Sequence, residues 1–263
     1  MGLCRIFWRE RVMYMTERVI FVAENTNAIR FAATRLGDLG FTVTDEPSAA
    51  VTHILLGVPC RLTDEVLSQI LRSAPNAKTV MGGFLKRKEL KGYQCFDLLE
   101  NEEYLAENAA ITAYAALTVA AEKLPVTWDG CNVLILGWGR IGKCLAPLLK
   151  AMGAQVCVAA RNPAHRAIAS ALGYDTVDIG ILPPMLHRYR VIFNTIPAPI
   201  LSQEQTERCR SDCLKIDLAS TEGIAASDVI TARGLPAKCH PESSGKLIAK
   251  TILQYFVHEE GTL

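Results

Sequence analysis

The sequence predicts an α/β fold made of two domains, each built on a parallel β-sheet. A length of 263 residues suits two domains of ordinary size. Short apolar runs alternate with segments of helical periodicity, a pattern typical of parallel sheets covered by helices. A long alanine-rich helical pattern, residues 102–123, separates two such series. We therefore predict an N-terminal domain over residues 16–104 and a second domain over residues 105–243.

The N-terminal series begins with an apolar run and continues with regularly spaced apolar side chains. Gly40 is a plausible stop for its first helix, and the pair Gly82-Gly83 ends its last strand. The predicted elements are, in order, a strand over residues 18–23, a helix over 26–39, strands over 41–43 and 53–57, a helix over 63–73 and a strand over 78–81.

The second series follows the turn at residues 128–130. It contains no repeats and no low-complexity tracts, and its strands are rich in β-branched residues. The predicted elements are a strand over residues 132–136, a helix over 140–152, a strand over 155–160, a helix over 164–172, strands over 190–194 and 214–218, and a terminal helix over 244–257.

Composition excludes several classes of function. The formal net charge is +1 without basic or acidic blocks, which argues against a nucleic-acid groove or a polybasic membrane patch. No apolar stretch reaches the roughly 20 residues that span a bilayer. Residues 1–14 lack a signal-peptide pattern, and we expect them to be an extension that does not fold. The protein is therefore expected to be cytoplasmic.

The nine cysteines contain no cluster with metal-ligand spacing, so no metal site is predicted. We interpret them as reduced thiols, several of them small core residues such as Cys131 and Cys157. Cys209 and Cys213 lie four residues apart. Two thiols without further ligands make a poor zinc site, so a metal or redox role is disfavoured there.

A glycine motif follows the strand over residues 132–136. Gly137, Gly139 and Gly142 form the pattern GxGxxG between that strand and an amphipathic helix, with a second strand at the right distance. The glycines permit a tight turn, close approach of a pyrophosphate and close packing of helix on strand, and the helix N-terminus offers N–H groups to phosphates.

This setting predicts a Rossmann-like, doubly wound dinucleotide-binding domain, and a glycine-rich turn without a cofactor is the alternative. The predicted cofactor-binding residues of the motif are Gly137, Trp138, Gly139, Arg140, Ile141 and Gly142.

The end of the next strand indicates which dinucleotide binds. NAD-dependent proteins usually place an acidic residue there to bind the ribose 2′-hydroxyl. This chain has Arg161 and Asn162 instead, with His165 and Arg166 close behind. A guanidinium pairs well with a 2′-phosphate. NADP is therefore favoured over NAD, with a solvated strand-end role for Arg161 as the alternative.

Two further strand ends belong to the same predicted site, because ligands gather at the carboxyl ends of strands in doubly wound sheets. We predict that Thr195, Ile196 and Pro197, after one strand, and Ala219 and Ser220, after the next, border the nicotinamide. Asp217 is either a catalytic group or, more commonly for aspartate at a strand end, a structural turn former.

Several segments together resemble the dipicolinate synthase A family. The resemblance runs through residues 132–161, 194–197, 216–220 and 234–236, and it extends upstream to residues 97–99, Asn108 and Thr112. The family implies an NADP-linked oxidation of a dihydrodipicolinate-type precursor during sporulation. It also implies a small dicarboxylate substrate and, as partner, a flavoprotein-like second component of the synthase.

The resemblance further implies a fold like that of D-2-hydroxyacid dehydrogenases. Two Rossmann-like domains then flank a cleft, and the C-terminal helix, residues 244–263, crosses back to the first domain. Homo-oligomers are the expectation for this fold. The candidate catalytic residues on the substrate side are Asn108, Thr112, Ser220 and His240. For Asn108 and Thr112 a helix-capping role is the alternative.

Two of the segments in which the chain departs from the family pattern bear on its activity. Where the family reads Asn-Ala-Ile-Pro-Thr-Ala-Glu-Gly, residues 108–115 read Asn-Ala-Ala-Ile-Thr-Ala-Tyr-Ala, and Glu242 replaces a lysine. The second hypothesis is therefore a non-catalytic or regulatory NAD(P)-binding protein derived from the family. A 2-hydroxyacid dehydrogenase is disfavoured, because no arginine follows residues 216–220 in the expected setting.

Overall fold

The computed structural model describes residues 18–260, and the chain divides into two units. Among the described residues, the first unit comprises residues 18–108 together with residues 240–260, and the second unit is Ala109–Cys239. The predicted N-terminal extension, residues 1–14, lies outside the described residues. No helix within residues 18–260 is both long enough and apolar enough to cross a membrane.

The first unit is built on a five-stranded sheet in which every pairing is parallel. The spatial order is β2-β1-β3-β4-β5, one of the two common doubly wound arrangements. Its strands are β1 (Val19–Val22), β2 (Thr42–Thr44), β3 (His53–Leu55), β4 (Thr79–Gly82) and β5 (Gln94–Asp97).

Within residues 18–260, three α-helices belong to this unit, and a fourth begins in it and continues into the second unit. The C-terminal helix packs so closely on the first helix that a Cβ added at Gly245 would lie 2.5 Å from the Ala28 carbonyl oxygen. The predicted return of the C-terminal helix to the first unit is therefore confirmed. The helices are α1 (Asn27–Asp38), α2 (Asp64–Ser73), α8 (Pro241–Glu260) and the shared α3 (Glu102–Ala121).

His53 is a buried polar residue in the core of the first unit. It is 9% exposed, its ring meets the Phe256 ring edge-on at 5.0 Å, and its Nδ1 lies 2.7 Å from Thr52 Oγ1. Burial and then the positive charge of Arg18 lower the pKa of His53 to about 4, against a smaller opposing effect of Glu259. The imidazole is therefore neutral in the folded protein at neutral pH.

This depressed pKa predicts acid sensitivity. At pH values above the ordinary histidine pKa of 6.5, the ring is neutral in both the folded and the unfolded chain. His53 therefore does not reduce the free energy of unfolding there. Between 6.5 and about 4 only the unfolded chain takes up the proton, and the free energy of unfolding falls by about 3 kcal/mol in total. Urea unfolding at a series of pH values measures this loss. His53→Gln should flatten the profile over that range, and a variant profile as steep as that of the wild type would contradict this origin of the loss.

The second unit holds a six-stranded, fully parallel sheet. Its order is β11-β10-β9-β6-β7-β8, which is the classic Rossmann order 3-2-1-4-5-6 in local numbering. The strands are β6 (Asn132–Leu136), β7 (Gln155–Ala159), β8 (Asp175–Val177), β9 (Val191–Asn194), β10 (Leu214–Asp217) and β11 (Ile230–Thr231).

Side chains pack against both faces of this sheet. Buried side chains of the α-helices form one core cluster with Val133 and Ile135 of β6, and those of the short 3-10 helix over residues 183–188 and of neighbouring loops form another with Leu134 and Leu136. The helices are α4 (Arg140–Ala151), α5 (Pro163–Ala171), α6 (Gln203–Thr206) and α7 (Leu235–Cys239). The predicted fold class of two doubly wound parallel-sheet α/β domains is confirmed.

Candidate functional site

The candidate site lies where the strand order of the second unit reverses. β6 and β9 are neighbours in the sheet, yet the chain leaves β6 towards β7 on one side and leaves β9 towards β10 on the other. The loops after their carboxyl ends consequently separate and leave a crevice, the usual ligand position in open α/β sheets. The GxGxxG loop follows β6 directly, so the sequence motif and the topological switch point coincide.

Each motif glycine has its own structural reason. Gly137 has φ +104°, a left-handed conformation that only glycine adopts readily. A Cβ at Gly142 would lie 2.5 Å from the Gly137 carbonyl oxygen, so this glycine lets α4 pack against the loop. A Cβ at Gly139 would meet nothing within 4 Å. The space beside Gly139 is therefore open, as a loop that cradles a pyrophosphate requires.

The N-terminus of α4 differs from those of several other helices. Side chains cap five of them, namely Thr26 on α1, Thr63 on α2, Asn101 on α3, Asn162 on α5 and Ser202 on α6. The N-cap residue of α4 is Gly139, which offers no side chain. The first-turn N–H groups and the positive end of the helix dipole are thus left for an anion.

Trp138 lies inside the core rather than on the loop surface. Its side chain is 3% exposed, and its ring centroid is 5.6 Å from that of Tyr174. Its buried Nε1 has no hydrogen-bond partner among the described residues. Of the predicted motif residues, Trp138 can therefore contact a cofactor only through its backbone. Ile141 is half-buried against the same core, and Arg140 is exposed at the start of α4.

The residues after β9 meet the glycine loop. The backbone N–H and the hydroxyl of Thr195 both donate to the Leu136 carbonyl oxygen at 2.9 Å. Thr195 and Ile196 are the nearest neighbours of a Cβ added at Gly137, at 2.6 Å and 2.8 Å. Pro197 is exposed next to them. The structure thus brings two separately predicted parts of the site together.

Asp217 has a structural position at the end of β10. Its carboxylate is 1% exposed and accepts hydrogen bonds from Asn194 Nδ2 at 2.9 Å, Ala219 N at 3.1 Å and Gly223 N at 2.7 Å. Asn194 in turn bonds Ile196 through both its amide atoms. This buried pair links the loops after β9 and β10. The contacts of Asp217 are therefore those of a structural, turn-forming residue.

Ala219 and Ser220 follow in the loop that Asp217 holds. Ala219 is buried, and its carbonyl oxygen accepts a hydrogen bond from Arg233 Nε at 3.2 Å. Ser220 is exposed. The sequence analysis did not predict the hydrogen bonds from Asn194 and Arg233. Both β9 and β10 are apolar strands that end in a polar residue, and this pattern could have indicated a contact between Asn194 and Asp217.

The loop after β7 carries Arg161, and hydrogen bonds hold the backbone of this loop. Arg166 Nη1 donates to the carbonyl oxygens of Ala160 at 2.6 Å and Arg161 at 2.7 Å, and it pairs with Asp178 at 2.6 Å. Asn162 caps α5 by accepting a hydrogen bond from Ala164 N at 2.9 Å. Arg161 is exposed between these two fixed groups. Arg166 therefore holds the backbone of the loop, a role that sequence reasoning did not assign to it.

The four substrate-side candidates lie in three separate parts of the chain. Asn108 and Thr112 lie one turn apart inside α3, and Thr112 is buried. Asn101 caps α3, so the capping explanation for Asn108 and Thr112 is wrong. His240 directly precedes α8, and its buried Nε2 has no hydrogen-bond partner in the part of the chain that the structure describes. Asn108 and His240 belong to the first unit, and Thr112 and Ser220 belong to the second.

Residues 118–229 match the Shikimate / quinate 5-dehydrogenase family. Dipicolinate synthase A of Bacillus subtilis (strain 168) is 29% identical over 178 residues, which are 64% of this chain. The match spans only 57% of the length of that relative.

Two solved structures show the likeness in fold. The structure of dipicolinate synthase A from Bacillus halodurans superposes with a TM-score of 0.81 at 21% identity, covering 92% of this chain and 98% of that one. The structure of apo D-lactate dehydrogenase from Escherichia coli gives a TM-score of 0.61 at 15% identity, covering 93% and 97%.

These comparisons confirm the resemblance to dipicolinate synthase A, in sequence and in fold. The chain has the fold of nicotinamide-dependent dehydrogenases, and the matched family is one of oxidoreductases that use such a cofactor. The matched region contains the glycine loop, Arg161 and the strand ends at Thr195 and Ala219.

Proposed function

We propose that this protein is an NADP-dependent oxidoreductase that oxidises a dihydrodipicolinate-type precursor to dipicolinate. The observation that carries the cofactor half of this proposal is the uncapped N-terminus of α4 beside the open space at Gly139. The resemblance to dipicolinate synthase A supplies the substrate half.

NADP is proposed over NAD because of the loop after β7. This loop carries no carboxylate that would bind a ribose 2′-hydroxyl, and the exposed Arg161 stands in that place. Arg166 and Asp178 fix the loop backbone, which reduces the entropy that Arg161 loses when it binds a phosphate. A guanidinium on a rigid loop is suited to paired hydrogen bonds with a phosphate group.

A nicotinamide bound in this site would supply the hydride acceptor for oxidation of the substrate ring, an oxidation in which the ring also loses a proton. The chain contributes binding and orientation. The α4 N-terminus holds the pyrophosphate, and the segments 195–197 and 219–220 border the nicotinamide. Asn108, Thr112 and Ser220 are candidates for hydrogen bonds to the dicarboxylate. His240, with its unpartnered Nε2, is the candidate proton acceptor.

Turnover tests the proposal directly. Purified protein, NADP and freshly generated precursor are incubated with and without the flavoprotein-like partner, while reduced nicotinamide and dipicolinate are measured. We expect both products to appear together in a one-to-one ratio. Reduced nicotinamide without dipicolinate would refute the substrate, and no reduction despite bound NADP would refute the oxidoreductase.

The regulatory alternative is favoured by one specific departure. Glu242, where the family has a lysine, forms an exposed ion pair with Lys246 at 2.6 Å on the first turns of α8. A carboxylate there does not attract a dicarboxylate. The regulatory alternative predicts that the protein binds NADP but does not convert the precursor. The turnover assay therefore distinguishes it from the enzyme.

A further inference from the structure

Cys209 and Cys213 lie near the end of the second sheet at which its strands begin, whereas the cofactor loop lies at the end where they finish. They stand in the segment between α6 and β10, directly before the amino end of β10. All eight cysteines within residues 18–260 are free thiols. Cys213 is 5% exposed and packs in the apolar cluster with Leu201 and Ile224, and Cys209 packs against that cluster from outside.

Cys209 is the thiol of the pair that a small molecule can reach. Cys209 lines a cavity of about 320 Å³, and Cys213 does not. Polar groups surround Cys209 in this cavity, and among them are Thr206, Arg210, Ser211, Lys215 and Asp228. A small reagent that enters the cavity therefore meets Cys209 first, with Cys213 behind it.

A buried lysine accompanies the two thiols. Lys215 is 4% exposed, donates to the Cys213 carbonyl oxygen at 3.3 Å and pairs with Asp228 at 2.7 Å. The neighbouring Cys213 thiol, and then the charge of Lys215, lower the pKa of Cys209 against the opposing effects of burial and Asp228. The neighbouring Cys209 thiol and burial raise the pKa of Cys213.

We propose that Cys209 and Cys213 are a redox-active dithiol, in which Cys209 is the attacking thiol and Cys213 the resolving thiol. The oxidant is a hydroperoxide. The sulfur of Cys209 attacks the terminal peroxide oxygen and becomes a sulfenic acid, while the O–O bond breaks and water or an alcohol leaves. The sulfur of Cys213 then attacks the sulfenic sulfur, the S–S bond forms and water leaves. Two thiols are oxidised by two electrons, and one peroxide is reduced.

The arrangement supports a redox-active dithiol, which the four-residue spacing alone disfavoured, and it does not support a metal site. Within the described part of the chain, no group of three or more His, Cys, Asp or Glu side chains could hold a metal ion. An accessible thiol of lowered pKa next to a second thiol is the arrangement typical of redox-sensitive cysteines. This inference is independent of the proposed function, since neither residue touches the cofactor loop.

Competitive alkylation of the native protein tests the first half of the proposal. Iodoacetamide at limiting concentration is followed by peptide mass spectrometry, with Cys95 as the internal control. Cys95 is more exposed than Cys209, but burial and Asp97 raise its pKa. We expect Cys209 to react at least about fivefold faster. An equal or slower rate at Cys209 would overturn its role as the reactive thiol.

Peroxide oxidation tests the second half. Trypsin cleaves after Arg208, Arg210 and Lys215, so a disulfide would join the dipeptide 209–210 to the peptide 211–215. We expect this linked species after stoichiometric hydrogen peroxide, and its loss on reduction. In Cys213→Ser, Cys209 should instead be trapped by dimedone as a sulfenic acid. Oxidation that leaves the wild-type peptides unlinked, or links them equally to other cysteines, would refute the pair.

Discussion

Gly139→Ala is expected to weaken cofactor binding strongly while leaving the stability of the protein unchanged. Gly139 has φ −85° and ψ −166°, which alanine adopts without strain, and the new Cβ would meet no protein atom within 4 Å. The methyl group would instead occupy the space proposed for the pyrophosphate. We expect the dissociation constant for NADP to rise at least about 50-fold, measured by isothermal titration calorimetry.

Gly142→Ala is the matched control in the same motif. Its Cβ would lie 2.5 Å from the Gly137 carbonyl oxygen, so the loop and α4 must separate. We expect the free energy of unfolding to fall by about 2 kcal/mol, measured by urea denaturation. If Gly139→Ala lowers stability as much as Gly142→Ala, or binds NADP like the wild type, the open space at Gly139 is not a cofactor site.

Arg161→Ala is expected to weaken binding of NADP by about 30-fold and binding of NAD by less than about twofold. The difference arises because only NADP carries the 2′-phosphate with which the guanidinium pairs. Calorimetric titration of the variant with each cofactor gives the two ratios. Arg208→Ala removes another exposed arginine of the same unit and should change neither ratio.

Equal losses for the two cofactors in Arg161→Ala would contradict the assignment of NADP specificity to this residue. The solvated strand-end interpretation of Arg161 predicts that neither affinity changes. Unfolding temperatures of both variants should match that of the wild type, because the described loop contacts come from Arg166, Asp178 and Asn162.

The elements that the sequence predicted well are those with strong local signals. β6 and β7 are continuous apolar runs in the middle of the sheet, and α4 begins directly after a glycine motif. The strands that were missed, β5, β8 and β11, all lie at sheet edges and have two to four residues. An edge strand needs less apolar surface, so its periodicity is weak.

The cofactor loop could be predicted because its chemistry lies in adjacent residues. The contacts that support it could not, because they join residues distant in sequence. Asn194 and Asp217 are separated by 23 positions, and Arg166 reaches Asp178 across a helix and a strand. Trp138 is a motif residue whose side-chain position could not be predicted. The motif determines only the backbone at this position, and the side chain packs in the core.

Titration of the wild-type protein with NADP and NAD by isothermal titration calorimetry tests the central claim most directly. The claim is that the crevice between the ends of β6 and β9 binds a nicotinamide dinucleotide through the α4 N-terminus and recognises a 2′-phosphate through Arg161. It predicts one site per chain for NADP, with a dissociation constant at least about tenfold below that for NAD. Binding of neither cofactor, or tighter binding of NAD, would contradict it.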